Sequence, residues 1–474
     1  FILPLKKRGY NCLQLYTEDT YEIDGEPQFG YRRGRYTKSE LKEIDAFAKK
    51  NGVELMPCIQ TLAHLNQIFR YPKYQSINDA NDILLVDDER TYKLIEKMIA
   101  TCAECFTSRN IHIGMDEAHM IGRGSYYELH GASNRFNLLL RHLSRVTEIA
   151  EKYGFKPMMW SDMFFKLANH GKYSDKQVRL PQNVKDRIPK DVSLCYWEYL
   201  SDDAEIYDNM FEAHIETGNE FWFAGAACTS NGFAPFNAAS IKALKTAFRE
   251  VEKYRVKNVL ITIWGDDGHD CSYNSVLPSL YAASMYARGV YDEETIKTGF
   301  FEMFGMKFDD FLMLDLPNKS ELNSDMTKMS NPCKSLLFND CFLGWKDKKI
   351  TEQAHIPYDE YAETLTSIAK KGGEFSYLFE NLANLCETLQ YKAELGVKTR
   401  AAYKSGNKEE LKKLTEDYSK AASALLKFKD SLRAVWMREN KPYGWEIHEI
   451  RLGGLHSRIL DCKHRTEEYL SGTA

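Results

Sequence analysis

Seven short apolar, β-branched runs, separated by longer amphipathic stretches, fill roughly the first 290 residues and constrain the fold more than any other feature of this chain. They are Asn11 to Tyr16, Val53 to Ile59, Ile111 to Met115, Lys156 to Trp160, Val192 to Trp197, Glu220 to Ala226 and Val259 to Trp264. Such alternation predicts a parallel sheet with helical crossovers. Each run ends in polar or aromatic residues: Thr17-Glu18-Asp19, Gln60 to His64, Asp116-Glu117, Ser161-Asp162, Glu198-Tyr199, Thr229-Ser230-Asn231 and Gly265-Asp266-Asp267. Chemistry-capable groups therefore collect at strand C-termini. In a (β/α)8 TIM barrel that end carries the active site, because the βα loops converge there.

Seven strands are one short of closure, and an open barrel leaves unpaired edges. Phe1 to Gly9 reads as the tail of a helix ended by glycine, so the expectation is a (β/α)8-type barrel whose first strand lies before position 1. A naturally seven-stranded barrel is the rival. At 474 residues the chain is too long for one ordinary domain. From about Tyr291 the pattern turns helical, through a polar stretch around Asn318 to Lys334. Leu378, Leu382, Leu385 and Leu389 recur at helical spacing, and Leu411, Leu414, Tyr418, Leu425 and Leu432 continue on a second helix after Gly406. The expected division is a catalytic barrel over 1–300, strands two to eight, and an α-helical domain over 301–474. That domain reads as a stabilising or dimerising module, with a contribution to the pocket through Trp436, Tyr443 or Trp445 as the alternative.

Charge and apolar content exclude several function classes. A formal net charge of -5 gives no basic face for nucleic acid, and no apolar run reaches the ~20 residues that span a bilayer. Neither nucleic acid nor membrane is an expected partner, and a neutral small ligand fits better. The 11 cysteines have no framework spacing, and their odd number points to a reducing compartment, hence a cytoplasmic location. Cys102 and Cys105 form one C-x-x-C, but inside a helical pattern and without a second metal-ligand pair.

The most informative segment is His112-Ile113-Gly114-Met115-Asp116-Glu117, closing the third run. Period-two alternation puts His112, Gly114 and Asp116 on one face, where Gly114 leaves room for a ligand or a large neighbour. Glu117 joins Asp116 only if the chain turns out of the sheet just past Met115, which the following Gly122 and Gly124 permit. Paired carboxylates at a barrel mouth suit glycoside hydrolysis. Adjacent acids make sense if Asp116 holds the N–H of a substrate 2-acetamido group whose carbonyl oxygen is the nucleophile, the substrate-assisted exception to the two-carboxylate scheme.

These residues resemble the H-x-G-x-D-E mark of glycoside hydrolase family 20, the β-N-acetylhexosaminidases, through His112, Gly114, Asp116 and Glu117. The resemblance implies Glu117 as general acid/base and Asp116 as the residue that orients the acetamido group. Asn11 to Asp19 looks like the family's second strand, ending in two acids, so that Glu18 or Asp19 would hold a histidine similar to His64, between an acid and Glu117. Trp160, Trp197 and Trp264 fall where the family lines its sugar pocket with tryptophans. Asp266 occupies the place of a family Glu that binds sugar hydroxyls, which implies exo action on one terminal residue at a time.

The chain departs from that pattern in three places. The family's first strand carries an Arg that grips sugar hydroxyls, and no residue here takes its part. No Tyr ends the Phe221 to Ala226 run, so Tyr199, on the same face as Trp197, is the substitute for the acetamido-binding Tyr. Cys58 and Gln60 stand where many relatives have acids. The expected function is a retaining exo-β-N-acetylhexosaminidase acting on GlcNAc or GalNAc termini of oligosaccharides or glycoconjugates, without metal or organic cofactor, with a homodimer as an option. A carbohydrate-binding pseudoenzyme is the alternative. A metal-dependent hydrolase using His64, His112, Asp116 and His119 lacks the usual early His-x-His.

Overall fold

The computed structural model describes residues 2–351 and 355–473; Phe1, at the head of the helical tail read from the sequence, lies outside them. Its strands are β1 (Cys12–Tyr16), β2 (Glu54–Cys58), β3 (Asn110–His112), β4 (Lys156–Trp160), β5 (Ser193–Trp197), β6 (Phe221–Ala226) and β7 (Asn258–Thr262). They form one parallel sheet in the order β1-β2-β3-β4-β5-β6-β7, so every strand pairs with its neighbours in sequence. Sequential parallel order with helical crossovers is the TIM-barrel-like α/β arrangement expected from the seven runs, and a helical region follows it.

Two compact units divide the chain: Phe1–Gly225 with Thr246–Leu260, and Ala226–Lys245 with Ile261–Ala474. In the first, helices α1 (Lys38–Lys50), α2 (Glu89–Cys105) and α3 (Arg135–Lys152) cover the sheet. Thr37 starts α1 with a capping box, its side chain accepting from Glu40 N while the Glu40 carboxylate takes the Thr37 N–H. The buried stripe of α2 (Leu94, Ile95, Met98, Ile99) and that of α3 (Leu138, Leu139, Leu143, Val146) share one core with Leu55, Ile111, Ile113, Met159 and Leu194 from the strands. Each such side chain contributes about 1.5–3 kcal/mol by leaving water, which explains why these strands read as nearly unbroken apolar runs.

Register carries the other strand face to a common end. Tyr16 pairs with Cys58, Cys58 with His112, Trp160 with Cys195 and Trp197 with Ala224. One layer below, the Gln14 amide nitrogen lies 3.1 Å from the Met56 sulfur and 3.2 Å from that of Met158.

The second unit is mostly helical. Helices α5 (Tyr358–Lys370), α6 (Ser376–Lys392), α7 (Leu395–Lys404), α8 (Lys408–Glu439) and α9 (Trp445–Ser471) follow in sequence, numbered after α4, which runs over Asp162–Ala168 in the first unit. Leu378, Leu382, Leu385 and Leu389 are buried on α6, and Leu411, Leu414, Tyr418, Leu425 and Leu432 on α8, the faces expected from their spacing. Helix α6 packs on α5 and α8, and α8 on α9. All eleven cysteines are free thiols, ten buried and Cys12 half-buried. Burial pushes the Cys12 thiol up to about 12, so it is a packing group rather than a nucleophile. No helix among the described residues is long and apolar enough to cross a membrane.

Candidate active site

The His112 to Glu117 segment leaves the sheet earlier than its alternation suggests. Strand β3 ends at His112 instead of running to Met115, and Gly114 (φ 71°), Met115 (φ 71°) and Glu117 (φ 53°) all take left-handed backbone. The His112 ring, fully buried against Trp160 with centroids 4.4 Å apart, uses Nδ1 to accept the Gly114 N–H at 3.1 Å. Burial lowers the His112 pKa to about 4, so it does this as a neutral ring. The neighbour for which Gly114 makes room is Gln60: a Cβ built on Gly114 would stand 2.0 Å from Gln60 Oε1. Only glycine meets both the positive φ and that approach.

This early kink puts both acids around one histidine. His64 Nε2 lies 3.2 Å from Asp116 Oδ2 and 3.8 Å from Glu117 Oε2. Gln60 Nε2 donates to Asp116 Oδ1 at 2.9 Å, and its Oε1 accepts the Met115 N–H at 3.3 Å. Burial pushes Asp116 upward, but its bonds to His64 and Gln60 outweigh that and hold the carboxyl below its usual range. Burial draws His64 downward, yet Asp116, Asp82 and Glu117 carry it up to about 9. At neutral pH the centre therefore holds an imidazolium paired with the Asp116 carboxylate.

Where the resemblance implies that Glu18 or Asp19 holds His64, the acid bonded to its backbone and nearest its Nδ1 is Asp82. Asp82 Oδ2 accepts the His64 backbone N–H at 2.9 Å and lies 3.9 Å from its Nδ1. Asp19, buried, instead binds Arg33 Nε through Oδ1 at 2.8 Å. Glu18 is 3.9 Å from Arg33 Nη2, and burial together with Asp19 raises its pKa to about 7, against the opposing pull of Arg33 and His64. Glu18 stays near enough for its charge to be felt by His64.

Glu117 is the most accessible member, its side chain 44% exposed against 19% for Asp116. Its backbone N–H donates to Asp162 Oδ2 at 3.1 Å, and Lys166 Nζ lies 3.8 Å from its Oε1. The same ammonium sits 5.3 Å from the centroid of the half-buried Trp197 ring, on which Tyr199 stacks at 5.3 Å. Tyr173 supports this wall by giving its hydroxyl to the Trp197 N–H as acceptor at 3.0 Å. Trp160 is buried. Of the residues expected in the site, Glu18, Asp19, His64, Asp116, Glu117, Trp160, Trp197 and Tyr199 all belong to the first unit.

Trp264 and Asp266 belong to the second unit. The Trp264 carbonyl accepts Thr229 Oγ1 at 2.7 Å, and Asp266, exposed, opens the turn Asp266–His269. That turn is held by α9: His448 Nε2 is 2.9 Å from the Gly268 oxygen, and Arg451 Nη1 donates to the Asp267 oxygen at 2.9 Å. Trp436 and Trp445 pack their rings around His448 and are buried, whereas Tyr443 is exposed.

Two family profiles match this sequence: "Glycosyl hydrolase family 20, catalytic domain" over residues 13–207, and "Glycoside Hydrolase 20C C-terminal domain" over residues 309–474. The chain belongs to glycoside hydrolase family 20. The family-20 catalytic match contains His64, Asp116, Glu117, Trp160, Trp197 and Tyr199. Among relatives, Hexosaminidase D of Bos taurus is 24% identical over 237 residues, 48% of this chain and 65% of that protein. Hexosaminidase D of Homo sapiens is 24% identical over 217 residues, 42% of this chain and 41% of that one. This family-20 chain thus spans less than two thirds of the length of each. Among solved structures, a GH20 exo β-N-acetylglucosaminidase from Vibrio harveyi gives a TM-score of 0.47 at 15% identity, covering 62% of this chain and 52% of that one. A Flavobacterium johnsoniae chitobiase gives 0.46 at 14% identity, covering 100% and 69%.

Proposed function

We propose that this chain is an exo-acting glycoside hydrolase that releases terminal β-linked N-acetylhexosamine, with the substrate's own 2-acetamido oxygen as nucleophile. Membership of family 20 supports the reaction class. The carrying observation is the different settings of two adjacent acids on one histidine. Asp116 is tied down by His64 and Gln60, while Glu117 is open to solvent, 3.8 Å from the Lys166 ammonium that sits over the Trp197 ring.

In this reading the acetamido oxygen attacks C1 as the bond from C1 to the departing oxygen breaks. Glu117 gives its proton to that oxygen. Asp116 accepts the acetamido N–H and stabilises the positive charge that grows on the resulting oxazolinium ring. Water then attacks C1 as the Glu117 carboxylate takes its proton, the ring opens, and the sugar leaves with its β configuration retained. No protein atom bonds to carbon, so Asp116 needs no free lone pair aimed at C1.

Trp197 offers the aromatic wall for an apolar sugar face, and Tyr199 the hydroxyl for the acetamido carbonyl. Two further roles rest on the resemblance of the sequence alone, beyond the 13–207 catalytic-domain match: Trp264 as an aromatic contact and Asp266 as acceptor of sugar hydroxyls. Eleven free thiols favour a cytoplasmic setting. A chromogenic N-acetyl-β-glucosaminide tests the reading. Release by the parent chain, falling at least about 100-fold in Glu117→Gln, supports it. Binding without release would assign the site to a sugar-binding protein.

A further inference from the structure

Glu117 holds a left-handed backbone, φ 53°, which side-chain-bearing residues rarely adopt unless something secures it. Its N–H donates to Asp162 Oδ2 at 3.1 Å. A backbone bond just past the end of β3 delivers that acid: the Trp160 N–H bonds the Gly114 carbonyl at 3.2 Å, and Asp162 follows two residues later as the first residue of α4. Asp162 is fully buried, and its Oδ1 has no hydrogen-bond partner among the described residues. Lys166, one helical turn on, donates from Nζ to Oδ2 at 3.0 Å and lies 3.8 Å from Glu117 Oε1.

A buried ion pair is a poor way to gain stability, since desolvation offsets most of the attraction, so its placement asks for another explanation. Both partners bear on Glu117, one on its backbone and one on its carboxylate. We propose that Asp162, with Lys166 as its counter-ion, is a positioning residue that fixes the kink at Glu117 and so aims its carboxyl at the departing oxygen. The assignment rests on Glu117 as proton donor, the role given under Proposed function. Asp162 touches neither substrate nor reacting atoms. Burial raises its pKa to about 6 with Lys166 opposing, so near neutral pH it accepts the amide proton as a carboxylate.

Leaving-group dependence separates aim from general structural support. A 2,4-dinitrophenyl glycoside departs without protonation, whereas the disaccharide N,N′-diacetylchitobiose needs the proton. Asp162→Ala should lower kcat/KM on the disaccharide about 100-fold and on the dinitrophenyl glycoside less than about threefold, the same pattern as Glu117→Gln. Asp162→Asn, whose amide oxygen can still accept the Glu117 N–H, should restore both rates to within about fivefold of the parent. Should Asp162→Ala fail to fold, Lys166→Met carries the test, with the same selective loss expected. Equal losses on both substrates, or none, would overturn the positioning role while leaving the hydrolase reading intact. A parent chain inactive on both would overturn the hydrolase reading, and the positioning role with it.

Discussion

His64 stands with Nε2 3.2 Å from Asp116 Oδ2, and that short approach sets the charge of the whole centre. With its pKa carried to about 9, the ring is a cation at neutral pH, where Asp116, held below its usual range, is a carboxylate. The cation offsets the charge that Asp116 would otherwise hold in a mostly buried place.

The sign of the resulting pH dependence follows from linkage. A folded-state value of about 9 lies above the ordinary 6.5, so this pairing stabilises the fold fully below about 6.5 and is lost as pH rises through 9. The difference in Tm between the parent and His64→Gln should be largest near pH 6 and shrink towards zero by pH 10. Melting curves across that range check it, and a difference growing with pH would contradict it.

Gln60 is the second holder of Asp116, through a bond of 2.9 Å. Gln60→Ala removes a donor to an ionised group, an interaction of about 1.5–3 kcal/mol, so kcat/KM on a chromogenic substrate should fall roughly tenfold to a hundredfold. Gln60→Glu should be worse at pH 7, because two facing carboxylates must share a proton, and should recover in part on acidification. Rates at pH 5 and 7 distinguish the two variants.

Gly114→Ala tests the kink. The added methyl would meet Gln60 Oε1 at 2.0 Å on backbone with φ 71°, so about 2–5 kcal/mol of stability should be lost, read from urea unfolding. Activity should fall further than stability alone explains, because the displaced side chain is the one that holds Asp116.

The sequence displays the strands well because buried parallel strands carry little else: all seven runs became strands with ends shifted by only a few residues, except at β3. There the alternation through Met115 is misleading. Gly114 could be read as leaving space, but only the fold shows that Gln60 occupies it and that strand β3 ends at His112. His64, Asp116 and Glu117 were legible as a motif. Their supports were not: Asp82, Arg33, Asp162 and Lys166 are ordinary polar residues until the chain brings them to one end of the sheet. The spacing of Asp162 and Lys166, one turn apart just after a strand, was the signal available, and many solvated helix faces share it. Of Glu18 and Asp19, the two acids read as partners for His64, Asp19 is taken by Arg33 in the following loop, while Glu18 stays within reach of the His64 charge.

The proposed hydrolysis turns on which atom attacks C1. Substrates bearing acetyl, fluoroacetyl, difluoroacetyl and trifluoroacetyl groups on the 2-amino nitrogen measure this directly, since each fluorine weakens the carbonyl oxygen as a nucleophile. Participation by that oxygen predicts a steep fall in kcat/KM along the series, at least about 1.4 kcal/mol or tenfold from acetyl to trifluoroacetyl. A flat series would mean that a protein carboxylate or water attacks instead, and the role given to Asp116 would be wrong.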